Sequence, residues 1–282
     1  MIHGYTPMEP ESDGPVQKRR IRPVFLLLIL LFVFGFLFAA IQLVRIFLEY
    51  GSADTEYDII RNDYTQEVSG NDVSGETDPF PDLNIDVDGL LAQNPDFLCW
   101  LYYEDMDVSY PVMLEPEGEY NKYLHMTFEG ESNYAGTLFV PPETDPDFLD
   151  LNSFIYGHNM HNGSMFGTFN DVYNNMAEQF VDPYFYIWTR NHEKIMYRVV
   201  AMYVVDKDSM QYAVPHTDGG YDTYLEQMLS LGSVESVIPF TEDEQTAMSE
   251  RNPIVSLSTC YGPSGTSRRL LVQGVEVLRM PF

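Results

Sequence analysis

From Val24 to Val44 the chain runs 21 residues without a charge, and Gln42 is the only clearly polar side chain among them. No other feature restricts the fold so much. A helix of roughly 20 apolar residues spans the hydrocarbon core of a bilayer, and the hydrogen bonds of its backbone are all satisfied within it. Lys18, Arg19, Arg20 and Arg22 precede the segment, whereas Arg45 follows alone and is soon answered by Glu49. The positive-inside rule then places the short N-terminal tail in the cytoplasm and the C-terminal bulk outside. A cleaved signal peptide is the competing reading, with Ala39-Ala40 as a small-residue pair. Its apolar core would run only about 7–15 residues, however, and here apolar residues continue to Val44. Residues 1–22 are therefore read as a cytoplasmic tail and 23–45 as an uncleaved, single-pass anchor.

Charge narrows the partners of the exterior part. The chain has 15 Lys+Arg against 43 Asp+Glu, a formal net charge of −28. Five of the basic residues flank the anchor and three of the acidic ones precede it, which leaves 10 basic and 40 acidic residues for the exterior part. Nucleic acid and anionic lipid surfaces both call for basic patches, so neither is expected as the main partner. The acidity itself reads as a solubilising surface. Only two cysteines occur, Cys99 and Cys260. A domain of this size buries enough apolar surface to stand without a disulfide. Cys99, inside Phe97-Leu98-Cys99-Trp100-Leu101, reads as a small buried hydrophobe.

Residues 46–82 are rich in Asp, Glu, Ser, Gly and Thr with few clustered apolar side chains, the composition of a flexible acidic tether. Leu83, Ile85, Val87, Leu90 and Leu91 suggest a short helix that ends near Asn94-Pro95. Beyond it, branched and aromatic residues dominate 98–103, 108–114, 137–140, 152–156, 184–188, 195–205, 253–260 and 269–278, each bounded by turn residues. So many short strands in one domain imply a barrel or a sandwich. One insertion is helical: Tyr221, Leu225, Met228 and Leu229 share a helix face, and Thr241 with Glu244 fits a capping box that starts a second helix.

The chemistry concentrates near the end. In a strand, Ile254, Ser256, Ser258 and Cys260 lie on one face and Val255, Leu257 and Thr259 on the other. The thiol thus projects from a partly polar face at a strand end. Arg268 and Arg269 open the next strand after a short Gly/Pro/Ser loop, and by alternation only one of them points toward Cys260. A thiolate attacks an acyl carbon, given an acid/base partner and a donor for the oxyanion. Among the histidines, His158 ends the run Ile155-Tyr156-Gly157 at a sharp turn. His125, His192 and His216 lie in polar, loop-like surroundings. His158-x-x-His161 lacks the further ligands of a metal site. Taken singly, Cys260 can equally be an inert core thiol and His158 a structural imidazole.

Together these residues resemble a family. Leu257-Ser258-Thr259-Cys260 followed by Arg269 at the head of an aliphatic strand is similar to the signature of sortases. Tyr156-Gly157-His158-Asn159-Met160 with Asn162-Gly163-Ser164-Met165-Phe166 resembles their histidine motif in its class B form. Asn94-Pro95-Asp96-Phe97-Leu98-Cys99-Trp100-Leu101 and Tyr110-Pro111-Val112 resemble the family's first strands. The resemblance covers about Leu83 to Leu278. Two departures stand out: Cys99 occupies a position where relatives carry Gly, and Asp78-Pro79-Phe80, within the tether, resembles the lid tripeptide of pilin-polymerising class C enzymes. The insertion between Asp206 and Pro253, the His158 motif and the absence of a C-terminal apolar segment suit class B better.

The resemblance implies a mainly β catalytic domain over 83–282, an eight-stranded β-barrel with an N-terminal helix and a helical insertion before the Cys-bearing strand. It also implies a cysteine transpeptidase of the Gram-positive cell membrane, using no cofactor and no metal. Cys260 would be the nucleophile that forms a thioacyl intermediate with a C-terminal sorting signal of a secreted protein. His158 would be the acid/base, Arg269 the substrate and oxyanion ligand, and Arg268 a solvated neighbour. A peptidoglycan-precursor amine would be the acceptor. Three other readings stay open. A pilin polymerase would use a Lys side chain as nucleophile. A papain-like hydrolase would set its Cys early, at a helix start. A non-catalytic anchored binding module would need none of the three residues.

Overall fold

In the computed structural model of the chain, residues 23–67, 78–213, 215–263 and 265–282 are described. The expected cytoplasmic tail, with its cluster of basic residues, lies outside them. Helix α1 (Pro23–Tyr64) opens on a proline, whose missing N–H costs nothing at a helix start. Its apolar first half is exposed at nearly every position, Phe32 at 76% and Phe34 at 71%. An apolar surface of that extent is stable only against lipid or another apolar partner. Among the described residues this is the one helix long and apolar enough to cross a membrane.

The boundary between the chain's two compact units falls between Phe47 and Leu48. Of the tether expected over 46–82, residues 68–77 lie outside the described residues, and the described part is folded instead. The helix continues to Tyr64, and Ala53, Tyr57 and Ile60 are buried at 1%, 2% and 2% exposure in the main core of the second unit. With Tyr64 packed beside them, they form an i, i+4, i+7, i+11 stripe. Strand β1 (Thr65–Glu67) then pairs antiparallel with β2 (Leu83–Ile85). The latter is a strand where a helix was expected. The helix itself, α2 (Val87–Gln93), starts one turn later, capped by Asp86 accepting from the Gly89 N–H.

Eight strands close a mixed barrel: β3 (Phe97–Tyr103), β4 (Val108–Leu114), β5 (Leu138–Val140), β6 (Asn152–Tyr156), β7 (Tyr184–Thr189), β8 (Glu193–Asp206), β9 (Ile254–Cys260) and β10 (Arg268–Pro281). Around the barrel they run β10, β8, β7, β3, β4, β5, β6, β9 and back to β10. All eight fall where branched and aromatic residues predicted strands. Two seams are parallel, β4 with β5 and β6 with β9, and the rest are antiparallel. Short helices α3 (Phe169–Asn174) and α4 (Met176–Gln179), which had no sequence expectation, lead from β6 to β7.

Between β8 and β9 the chain inserts α5 (Asp218–Gly232) and α6 (Glu242–Ser249). Tyr221, Tyr224 and Met228 of α5 pack with Phe154, Tyr203, Ile254 and Leu271 as a second core on the outside of the barrel. Val255, Leu257, Leu270 and Val272, the alternate residues of β9 and β10, belong to the main core instead. The capping box of Thr241 and Glu244 forms as expected. Its Glu244 also receives Arg198 Nε of β8 at 2.9 Å, both side chains nearly fully buried, while Arg198 Nη2 reaches the Ile238 carbonyl at 2.9 Å. The insertion that delivers the chain to β9 is thus fixed to the barrel by a satisfied ion pair. Replacing Arg198 by Met should strand a buried carboxylate and cost about 3–5 kcal/mol. Denaturant unfolding checks this, and a loss under about 1 kcal/mol would refute the role given to the pair.

Candidate active site

Parity on the strands decides which side chains meet. Cys260 shares the outer face of β9 with Ile254, Ser256 and Ser258, the face that α5 covers further down the strand. The β9–β10 register sets Arg269 directly opposite Cys260. Cross-strand neighbours opposite one another project to the same side, with Cβ atoms about 4.5–5.5 Å apart. Arg269 is half-buried, and its Nη1 donates to the carbonyls of Thr266 and Arg268 at 2.9 and 3.0 Å. Arg268 points away: it is exposed, and its guanidinium lies over the Tyr261 ring at 4.8 Å. Both thiols are free, Cys99 wholly buried and Cys260 partly exposed. Burial pushes the Cys99 thiol far up, which keeps it a neutral core group.

The parallel seam brings His158 to the same end of the barrel. Tyr156 of β6 is in register with Ser258, the Gly157 N–H donates to the Ser258 carbonyl at 3.1 Å, and Thr259 Oγ1 donates to the Gly157 carbonyl at 2.8 Å. His158 and Cys260 each follow directly on this locked pair. Only glycine fits at 157, because a Cβ there would collide with Leu138 Cδ2 and stand 2.6 Å from Phe166 Cδ2. The chain then turns back, and the Phe166 N–H closes on the His158 carbonyl at 3.0 Å.

His158 Nε2 lies 2.9 Å from the Leu124 carbonyl. A carbonyl only accepts, so this ring nitrogen carries the proton and Nδ1 is left as the basic atom. His125, expected to lie in loop surroundings without chemical company, is in fact a ring neighbour. Its centroid is 5.6 Å from that of His158, and Tyr134 is 5.4 Å from His158, all three rings nearly parallel. Burial pulls the His158 pKa below its ordinary 6.5; the bond to Leu124 opposes this, and the charge of His125 adds to it.

Tyr212 is another neighbour with no signal in its local sequence. It ends the 3₁₀ turn Met210–Tyr212 after β8, and its hydroxyl lies 2.7 Å from Ser258 Oγ. Burial pushes its phenol up, its bond to Ser258 and the charge of Arg269 pull it down, and Cys260 raises it, so the hydroxyl feels both groups. The Asp78-Pro79-Phe80 tripeptide is engaged elsewhere. Phe80 packs on Tyr186 and Trp188 of β7, and Lys194 of β8 pairs with Asp78 and covers the Phe80 ring at 4.7 Å. Among the described residues no group of His, Cys, Asp and Glu is arranged to hold a metal ion.

A closed mixed barrel presenting a partly exposed thiol and a guanidinium across its last two strands, with an imidazole at the same end, has the parts of a thiol-dependent acyl-transfer enzyme. The family model of the sortase domain matches residues 101–277. The chain belongs to the sortase family, the cysteine transpeptidases. Sortase B of Listeria monocytogenes is 27% identical over 220 residues, which cover 77% of this chain and 81% of that protein. Sortase B of Staphylococcus aureus is 26% identical over 182 residues, covering 64% and 69%. In fold, the chain resembles a Bacillus anthracis sortase B at a TM-score of 0.61 with 22% identity, covering 82% of this chain and 99% of that one.

The geometry around His158 predicts its titration. In an NMR pH titration its midpoint should fall below 6.5 and should move up when His125 is replaced by Phe, which removes the neighbouring charge but keeps a ring. A midpoint at or above 6.5 in the native protein would contradict the burial argument.

Proposed function

We propose that this chain is a membrane-anchored class B transpeptidase. In this reading it cuts a C-terminal sorting signal of secreted proteins and joins them to an amine of the peptidoglycan precursor. The supporting observation is the cross-strand pairing of Cys260 with Arg269 at the end where Gly157 and Thr259 tie in His158. The anchor, α1, would leave the N-terminus cytoplasmic and the barrel outside, as the basic flank implies. S. aureus sortase B, similar in fold, has been solved with a substrate, and a sortase B has been solved with triglycine, which makes peptide and amine natural probes here.

In the proposed reaction, Cys260 gives its proton to Nδ1 of His158 as the sulfur bonds to the carbonyl carbon of the scissile amide. The oxyanion is met by Arg269, whose Nε and Nη2 have no protein partner among the described residues. The C–N bond then breaks as the imidazolium protonates the leaving amine, which leaves a thioester on Cys260. An incoming amine attacks that thioester and yields its proton to His158; the C–S bond breaks and His158 passes the proton to the departing sulfur, which restores the thiol and the neutral imidazole. A neutral imidazole at the start suits this order, because burial disfavours its charged form.

Cys260→Ala should form no acyl-enzyme by mass spectrometry. Arg269→Ala should lose about 10²–10³ in kcat, the usual cost of one preorganised oxyanion donor, while Arg268→Ala stays near the native rate. The full-length protein, assayed against a peptide library with and without triglycine, should form an amide product when the amine is present. Hydrolysis alone under both conditions would count against a transpeptidase.

A further inference from the structure

Tyr57 stands in the stretch expected to be a tether, yet its hydroxyl is one of the most committed polar groups in the molecule. It donates to the Gly136 carbonyl at 2.6 Å and lies 2.8 Å from Thr137 Oγ1. Gly136, at φ +60°, is pressed so closely on the preceding loop strand that a Cβ would lie 2.5 Å from the Leu124 carbonyl oxygen. That same carbonyl oxygen holds His158 Nε2. From the helix to the imidazole the path is therefore one hydrogen bond, one backbone contact and one further hydrogen bond.

A second grip comes from the turn before. Both carboxylate oxygens of Asp54 accept from Asn162 Nδ2, at 3.1 and 2.9 Å. Asn162 sits in the loop that leaves His158 and returns to it through Phe166. Asp54 and Tyr57 are three residues apart and lie on one helix face. Between them they hold both loops that frame the imidazole, one carrying its Nε2 acceptor and the other its own backbone. Each loop has a tie of its own, the Met126–Ser132 bridge in one and the Asn159–Met165 bridge in the other, and the helix adds its contacts to each.

We propose that Tyr57 and Asp54, on the juxtamembrane half of α1, are positioning residues for His158, holding the Leu124 carbonyl and the Asn162 loop so that the Nε2–H tautomer persists and Nδ1 is presented as the base. The proposal rests on the reading of His158 as the acid/base. It makes the helix leaving the membrane segment a working part of the catalytic domain. Burial keeps the Tyr57 phenol neutral far above its ordinary range, so it remains a donor at any working pH.

The test uses the full-length protein in detergent or nanodiscs, with a sorting-signal peptide and triglycine. Tyr57→Phe, which keeps the ring and removes only the hydroxyl, should lower kcat roughly fivefold to tenfold, about one neutral hydrogen bond's worth, with KM unchanged. Its His158 ring 15N signals should show a second tautomer. Asp54→Ala, at an exposed contact that cannot threaten the core, should act in the same direction. Asp58→Asn on the next turn is the control, since Asp58 is exposed and pairs with Arg61, and should match the native enzyme. Native kcat and native imidazole signals in both Tyr57→Phe and Asp54→Ala would overturn the proposal. Should Tyr57→Phe fail to fold, Asp54→Ala decides alone by the same two readings. Transpeptidation surviving in His158→Ala would instead overturn the acid/base reading, a result separate from either.

Discussion

The barrel closes through the parallel seam of β6 and β9, and the site depends on how that seam ends. Parallel strands need a long connection, and here Gly157 and Thr259, joined by a hydrogen bond, are 102 positions apart. Everything between them, from the α3–α4 turn through β7, β8 and the α5–α6 insertion, has to be in place before the two ends can lie side by side. The seam finishes in a bond from each partner, Gly157 N–H to Ser258 and Thr259 hydroxyl to Gly157. The next residues along the chain are His158 and Cys260. A barrel wall ending in this way needs little further machinery to bring an imidazole and a thiol to one rim.

The rest of the site is arranged by what presses on that rim from outside. On the β10 side, strand register alone sets Arg269 across from Cys260. Beneath them runs a buried polar ladder, in which Gln273 Nε2 donates to Ser256 Oγ at 2.6 Å and to Tyr224 of α5 at 2.8 Å, while Ser256 donates to Asn152 of β6. A buried polar group left without a partner costs far more than a satisfied one contributes, so such a ladder fixes one placement of the insertion over the strands. Arg198 and Glu244 fix its other end. On the β6 side the covering element is the lower half of α1, whose Tyr57 and Asp54 reach the two loops around His158.

Much of this was legible along the chain, and the reasons are specific. The strands announce themselves because Val, Ile, Tyr, Phe and Trp alternate between main core and outer face, as Val255 and Leu257 do against Ile254 and Ser256. The α6 start was readable because a capping box is a contact between residues three apart. That only one of Arg268 and Arg269 faces the side of Cys260 was readable because adjacent strand residues point to opposite faces, and the register puts Arg269 there. The lower half of α1 was not legible: Ala53, Tyr57, Ile60 and Tyr64 form a stripe too thin and too acidic in its surroundings to hold a helix by itself, and it is stable only against the barrel. For β2, three residues of mixed pattern become a strand only because β1 pairs with them. His125 had no local mark either, since its relation to His158 exists only after Leu124 and the end of β6 come together.

What the sequence determined by itself is everything carried by periods and spacings of a few residues. That includes the apolar helix at 24–44, the eight strands and their faces, the two helices of the insertion with the capping box of the second, and the order His158, Cys260, Arg269 that resembles the family's. What only the tertiary structure decided is which of those faces meet. The proton-bearing nitrogen of His158, its two ring neighbours, the place of Tyr212 beside Ser258, and the docking of the lower half of α1 all depend on contacts between residues tens of positions apart. Local patterns set how a segment folds through its own backbone and side-chain geometry. Long-range contacts form only where complementary surfaces and unsatisfied donors and acceptors find one another, and a linear spacing does not record that.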